Sequence, residues 1–192
     1  MSEGNDDGDE RVPAVVLDYL PHGHPDDDRP QYQKPPLAQA VGVEDFRLFE
    51  VTLKEDVSVG VGDRIDADRS NDIVSRLQEL DYEDLSRASH SELEHAVRDI
   101  VESDERRFVD FYNDAQPITL RLHQLNLLPG IGKKLRNNIL EERKRKPYES
   151  FEDLEDRVSG LHNPKEVLIE RIVEEIRADD LKYRTFARRA EQ

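Results

Sequence analysis

The chain has 192 residues with 44 acidic and 28 basic side chains, a formal net charge of −16, and no cysteine. That length suits one domain or two small ones, and the missing cysteine excludes disulfides, thiol nucleophiles and thiolate metal sites. No run of about 18 or more apolar residues offers a membrane span, and the acidic start lacks the basic, then apolar, layout of a signal peptide, so a soluble cytoplasmic protein is expected. With 35% hydrophobic and 38% charged residues the composition also fits disorder. The kinds of charge point elsewhere: 23 Asp against 21 Glu, and 20 Arg against only 8 Lys. Short carboxylates with few lysines keep a surface hydrated when water is scarce, as in haloarchaeal proteins. At about 1 M salt the screening length is only ~3 Å, which removes most of the self-repulsion.

Residues 1–11 read as an acidic, disordered tail. From Val12 to Leu20 the sequence reads as a strand, and residues 21–36, with five of the ten prolines, as a loop. The stretch Phe46 to Leu53 alternates apolar and polar residues, the pattern of a strand with one buried face. Val59-Gly60-Val61-Gly62-Asp63-Arg64-Ile65 is turn chemistry leading into another short strand. Residues 12–69 are therefore expected to form a small β domain of four or five strands, an OB-like barrel.

Residues 70–115 read as a helical connector. Ser89 with Glu92 has the form of a capping box. Leu93, Ala96, Val97, Ile100 and Val101 then fall on one helical face. Ser103 is placed to cap a second helix carrying Phe108, Val109, Phe111 and Tyr112.

Residues 116–178 carry the chemistry. Residues 1–115 hold 30 acids and 12 bases, whereas residues 116–192 hold 14 acids and 16 bases. Between Ile131 and Pro147 seven bases face two acids. A charge run is usually a solvated helix face, but this one sits beside a glycine turn. Apolar-periodic stretches flank Leu128-Pro129-Gly130-Ile131-Gly132, as two helices joined by a reversal would. Pro129 stops the first, Gly130 supplies a positive φ, and Ile131 plugs the space between them. Gly132 has no Cβ, so a phosphate can approach the backbone where the second helix begins with free N–H groups. Lys133, Lys134 and Arg136 stand at that mouth, and Arg143 and Lys144 extend the basic surface.

This segment resembles the helix-hairpin-helix motif of nucleic-acid-binding proteins. The plain alternative is an ordinary αα-hairpin with a glycine turn. A weaker copy follows: Ser150 opens a short helix, Ser159-Gly160-Leu161-His162 turns, and Asn163-Pro164 starts a helix faced by Val167, Leu168, Ile172 and Ile176. Matching Gly130 to Gly160 puts Leu161 on Ile131, but His162 on Gly132 and Asn163 on Lys133. The copy keeps the plug, loses the phosphate approach and completes a four-helix unit. Residues 179–192 remain as a C-terminal tail.

Other chemistry is set aside. Gly130-Ile131-Gly132-Lys133-Lys134 lacks the spacer and hydroxyl of a Walker loop. Glu142-Arg143-Lys144 has a nuclease-like look, but Tyr148 stands where that motif needs Asp. His22, His24, Asp26 and Asp28 lie in a proline-rich loop with nothing to fix them as metal ligands. No catalytic set, cofactor or metal is expected, so the protein is read as non-enzymatic.

The chain is also identified as resembling an archaeal family, the domain of unknown function (DUF) family 655. The segments Val16 to Pro21, Pro36 to Gly42, Tyr82 to Leu85, Arg107 to Val109, Pro117 to His123 and Leu127 to Lys134 carry that likeness across residues 12–178. The resemblance implies α+β architecture, an OB-like domain followed by a tandem helix-hairpin-helix domain. It also implies a nucleic-acid partner, RNA (ribosomal or transfer RNA) ahead of DNA, near translation or ribosome assembly. A competing expectation is a scaffold whose acidic domain docks on a basic ribosomal or transcription-related protein.

Overall fold

The structure, a computed structural model, describes residues 11–189. The expected acidic tail, apart from Arg11, therefore lies outside the described residues, as do the last three positions. The described residues divide into two compact units, residues 11–96 with 188–189, and residues 97–187.

The first unit is built on five strands, β1 (Pro13–Leu20), β2 (Leu37–Gly42), β3 (Leu48–Leu53), β4 (Arg64–Asp66) and β5 (Val74–Leu80). They form one antiparallel sheet in the order β4-β1-β2-β3-β5, curled into a half-barrel. β2 is buried along its whole length, as a central strand covered on both faces must be. The curl has a local cause. A register shift between Val16 and Asp18 bends β1, and the Val16 N–H turns to the Asp63 carbonyl at 2.9 Å. Bulges of this kind increase the strand's bend and twist. Inside lie Ala14, Val16, Ala38, Ala40, Phe49, Val51, Leu53, Ala67 and Val74. Four alanines in that set leave room for the sheet to fold over on itself.

Two expectations change here. Residues 74–80, placed in the helical connector by the sequence reading, are strand β5. Phe46, read as the first residue of a strand, has φ +58 in the tight turn between β2 and β3, where its N–H donates to the Gly42 carbonyl at 3.1 Å.

Gln39, on the buried β2, is 1% exposed and is satisfied by the start of the first helix, α1 (Arg87–Ser103). Its Oε1 accepts the Ser86 N–H at 2.8 Å and the Ser89 hydroxyl at 2.7 Å. Ser86 is the cap: its hydroxyl accepts the Ser89 N–H at 3.0 Å and donates to Asp18 at 2.6 Å. The capping box expected from Ser89 does not form; the cap lies one turn earlier, and the Ser89 side chain is spent on Gln39. Leu93, Ala96, Val97, Ile100 and Val101 are all buried, the face that the spacing predicts.

The second unit contains the end of α1 and α2 (Glu105–Asp114), α3 (Lys133–Arg145), α4 (Phe151–Arg157) and α5 (Pro164–Arg177). Ser103 does not cap α2; its hydroxyl donates back to the Asp99 carbonyl within α1, and Asp104 takes the cap position. Phe108, Val109, Tyr112, Leu125, Leu128, Ile139, Tyr148, Leu154, Leu168 and Ile172 fill the core. Two buried tyrosines keep their hydroxyls satisfied, Tyr112 on the Pro164 carbonyl at 2.8 Å and Tyr148 on the Ile139 carbonyl at 2.7 Å. Burial pushes both phenols up, Tyr148 to about 12.

The segment after α5 is held in place. Glu175 is 0% exposed, and its carboxylate accepts the N–H groups of Thr185, Phe186 and Ala187 at 2.8, 2.8 and 2.9 Å. Arg171 donates to the same carboxylate at 3.0 Å and to the Tyr183 carbonyl at 2.7 Å. Phe186 packs on Phe111, ring centroids 4.9 Å apart. Residues 183–187 are therefore a strap on α5.

Candidate functional site

The reversal at residues 128–132 begins with a correction. No α-helix runs into it, since α2 ends at Asp114. Residues 118–128 were read as helical, yet they form a closed loop followed by a short 3-10 turn, Gln124–Leu127. Pro117 and His123 pair as an isolated bridge, and the Thr119 hydroxyl accepts the N–H groups of Arg121 and Leu122 at 3.3 and 3.0 Å. Threonine turns of this type compete with helix, and Pro117 cannot donate to one. His123 then caps the 3-10 turn, its Nδ1 accepting the Leu125 N–H at 3.1 Å. Burial, with the cations Arg143 and Arg136, holds the His123 pKa below its ordinary value.

Gly130 sits at φ +77, where a side chain would be strained. Ile131 is buried, and its N–H closes the turn on the Leu128 carbonyl at 3.3 Å. Gly132 is the N-cap of α3 and brings no capping side chain. The first N–H groups of that helix consequently have no intrahelical acceptor and present the positive end of its dipole. A Cβ built at either glycine meets nothing within 4 Å, so the approach is open. Asn126 braces the turn: its Nδ2 donates to the Ile131 carbonyl at 3.2 Å, while its Oδ1 accepts from Arg136 at 3.1 Å.

The cations of α3 divide into two sets. Lys133 and Lys134 are exposed at the open end and make no ion pair among the described residues. Arg136 is half-buried against Asn126 and stays at the same mouth. Arg143 lies ten residues beyond Lys133, about 15 Å along the axis. Its guanidinium donates to the Tyr112 and Ala115 carbonyls at 3.2 and 3.0 Å, which closes the end of α2. Lys144 pairs with Glu141 at 3.1 Å, Arg145 with Glu142 at 3.3 Å and Lys146 with Glu149 at 3.2 Å. The distal cluster is thus locally neutralised. Those i,i+3 spacings are visible in the sequence.

Arg121 is the cation that the sequence reading did not single out. It is exposed on the loop and lines a groove of about 520 Å³ with Leu120, Leu122, Asn126, Lys133 and Arg136. The alternation Ile118-Thr119-Leu120-Arg121-Leu122 was the available signal for extended chain.

The second hairpin repeats the turn without the opening. Gly160 has φ +90 and Leu161 is 2% exposed, matching Gly130 and Ile131. Asn163, at φ +49, makes no side-chain cap, and Pro164 removes the N–H at the first helical position. Leu135, in the first turn of α3, reaches the second turn, its Cδ1 3.8 Å from a Cβ position at Gly160.

In the first unit, Phe46 and Phe49 are 1% and 3% exposed and belong to the core. Tyr32 is 83% exposed. His24 pairs with Glu50 at 2.6 Å, and no group of three His, Asp or Glu residues poised for a metal occurs among the described residues. No described helix is long and apolar enough to cross a membrane.

A family model described as "Protein of unknown function (DUF655)" matches residues 10–188. An uncharacterized protein of Methanocaldococcus jannaschii, MJ0038, is 41% identical over 175 residues, 88% of this chain and 75% of that protein. A crystal structure of the Archaeoglobus fulgidus protein Af1531 superposes with a TM-score of 0.83 at 43% identity, covering 92% of this chain and 99% of the other.

Proposed function

The chain belongs to the DUF655 family, and from that premise we propose that it is a non-enzymatic nucleic-acid-binding protein acting through a helix-hairpin-helix. One observation carries the reading. The uncapped start of α3 at Gly132 lies open beside the unpaired Lys133 and Lys134. Backbone N–H groups at a helix start, with lysines beside them, suit a phosphate oxygen. Arg136 and Arg121 supply charge on the adjoining wall. The second turn, with the same glycine and the same buried plug, supports reading the pair as a tandem unit whose first arm is a 3-10 turn.

The curled sheet supports an OB-like reading of the first unit, with Tyr32 as a stacking surface for a base. Glu55 and Asp56 line the same groove as Tyr32 and disfavour a phosphate there. No group at the hairpin reads base edges, so binding is directed to backbone and shape. The proposed partner is RNA ahead of DNA, with a role near translation or ribosome assembly.

Gly132→Ala provides a clean test. At φ −89 with free space around it, alanine is accommodated at the N-cap for about 1 kcal/mol or less and sets a methyl where the phosphate would come. Its affinity for RNA falls about tenfold, and that of Lys133→Glu/Lys134→Glu about a hundredfold, from lost charged hydrogen bonds. Anisotropy of labelled RNA gives the affinities and circular dichroism the fold. Folded variants that bind RNA like the parent sink the reading. Docking of the acidic unit on a basic protein then becomes the better account.

A further inference from the structure

The loop before the hairpin has an arrangement that a phosphate clamp alone does not need. Leu120 is one of three large apolar side chains exposed among the described residues, and the most exposed of them. Its loop is closed on itself. The N–H groups of Ile118 and Thr119 both donate to the Leu122 carbonyl, at 2.8 and 3.0 Å, and the Thr119 hydroxyl takes two more N–H groups from the other side. The Pro117–His123 bridge fixes its base. A leucine at the tip of a closed loop adds nothing to the core and presents apolar surface to water.

Its neighbours specify the occupant. Leu120 shares its groove with Arg121, Lys133 and Arg136, so an apolar tip stands among three cations. A stacked nucleotide has the complementary layout, an apolar face flanked by anionic phosphates. Apolar side chains including leucine are inserted between base steps by proteins that kink or open a helix.

We propose that the 118–122 loop is a wedge: Leu120 enters an opened base step while Arg121, Lys133 and Arg136 neutralise the phosphates beside it. This rests on the nucleic-acid reading of the hairpin and adds a target preference to it. Opening a continuous stack is costly, whereas a bulge already has an unstacked base that a side chain can meet. The preferred RNA is therefore a helix with a discontinuity.

The test uses the full chain and two RNA duplexes that differ only by a single bulged nucleotide, each with a 2-aminopurine in the base step beside that position. The parent binds the bulged duplex more tightly, and 2-aminopurine fluorescence rises as Leu120 opens that step. Leu120→Ala loses roughly ten- to hundredfold on the bulged duplex, the scale of burying one leucine. It binds the continuous duplex unchanged and gives no fluorescence rise, while Leu120→Met restores both signals. If Leu120→Ala behaves like the parent on both duplexes, or weakens both equally, the wedge is overturned and the hairpin reading stands. If the parent binds neither duplex, both readings fall together.

Discussion

His123 joins the loop to the hairpin through a hydrogen bond that depends on its protonation state. Nδ1 accepts the Leu125 N–H and can do so only while unprotonated. Burial, then Arg143 and Arg136, lower its pKa, so the folded protein binds this proton less readily than the unfolded chain. Its contribution is complete above the ordinary value of 6.5 and is lost as the pH falls through the lowered folded value. Protection of the Leu125 amide from hydrogen exchange should therefore fall below about pH 6.5. His123→Asn keeps an acceptor in a cap position and should remove that dependence. An identical pH profile in parent and variant would show that another group controls the cap. None of this was legible from the residue alone, since His123 looked like one polar position in an apolar-periodic run.

At the scale of elements, the strap on α5 makes the strongest stability prediction. Glu175 and Arg171 are both buried, and the carboxylate holds three consecutive N–H groups. Glu175→Ala leaves those three donors without their acceptor and takes the buried carboxylate from beside Arg171, which keeps only the Tyr183 carbonyl and the half-exposed Glu174, at a cost of roughly 3–5 kcal/mol. For a chain of this size that corresponds to a fall in Tm of about 10 °C. Glu175→Gln retains one acceptor and should lie between the two. A melt of Glu175→Ala within a degree or two of the parent would mean the strap adds nothing. Elements with local signatures were readable: Gly130 at the turn, Gly132 before α3, and the buried face of α1. Strand β5 was not, because Val74, Leu77 and Leu80 recur every three residues and mimic a helical face. The register shift opposite Thr52 and Leu53 absorbs the extra residue. Val74 and Leu77 thereby pack against one core, a pairing that only the partner strand dictates.

Over the whole molecule, net charge separates two models of binding. The count of seven bases between Ile131 and Pro147 suggests a broad polybasic surface. Lys144, Arg145 and Lys146 each sit against a glutamate, and Arg143 is spent on carbonyls. Lys133 and Lys134 remain, with Arg136 and Arg121 on the groove wall. A protein that neutralises three or four phosphates should show a log–log salt slope of about −2 to −4, between the single-strand and duplex coefficients. One using all seven bases between Ile131 and Pro147 would approach about −6 on a duplex. The acid-rich composition suits concentrated salt, where screening shortens charge interactions to a few ångströms, and hydrogen bonds from the α3 N–H groups act within that range. Binding measured across a salt series should therefore decline gently, and Lys133→Glu/Lys134→Glu should flatten the slope by about 2. A parent slope near −6 would mean that the paired cations leave their glutamates for the ligand, and the compact site at the start of α3 would have to be abandoned for a surface running its full length.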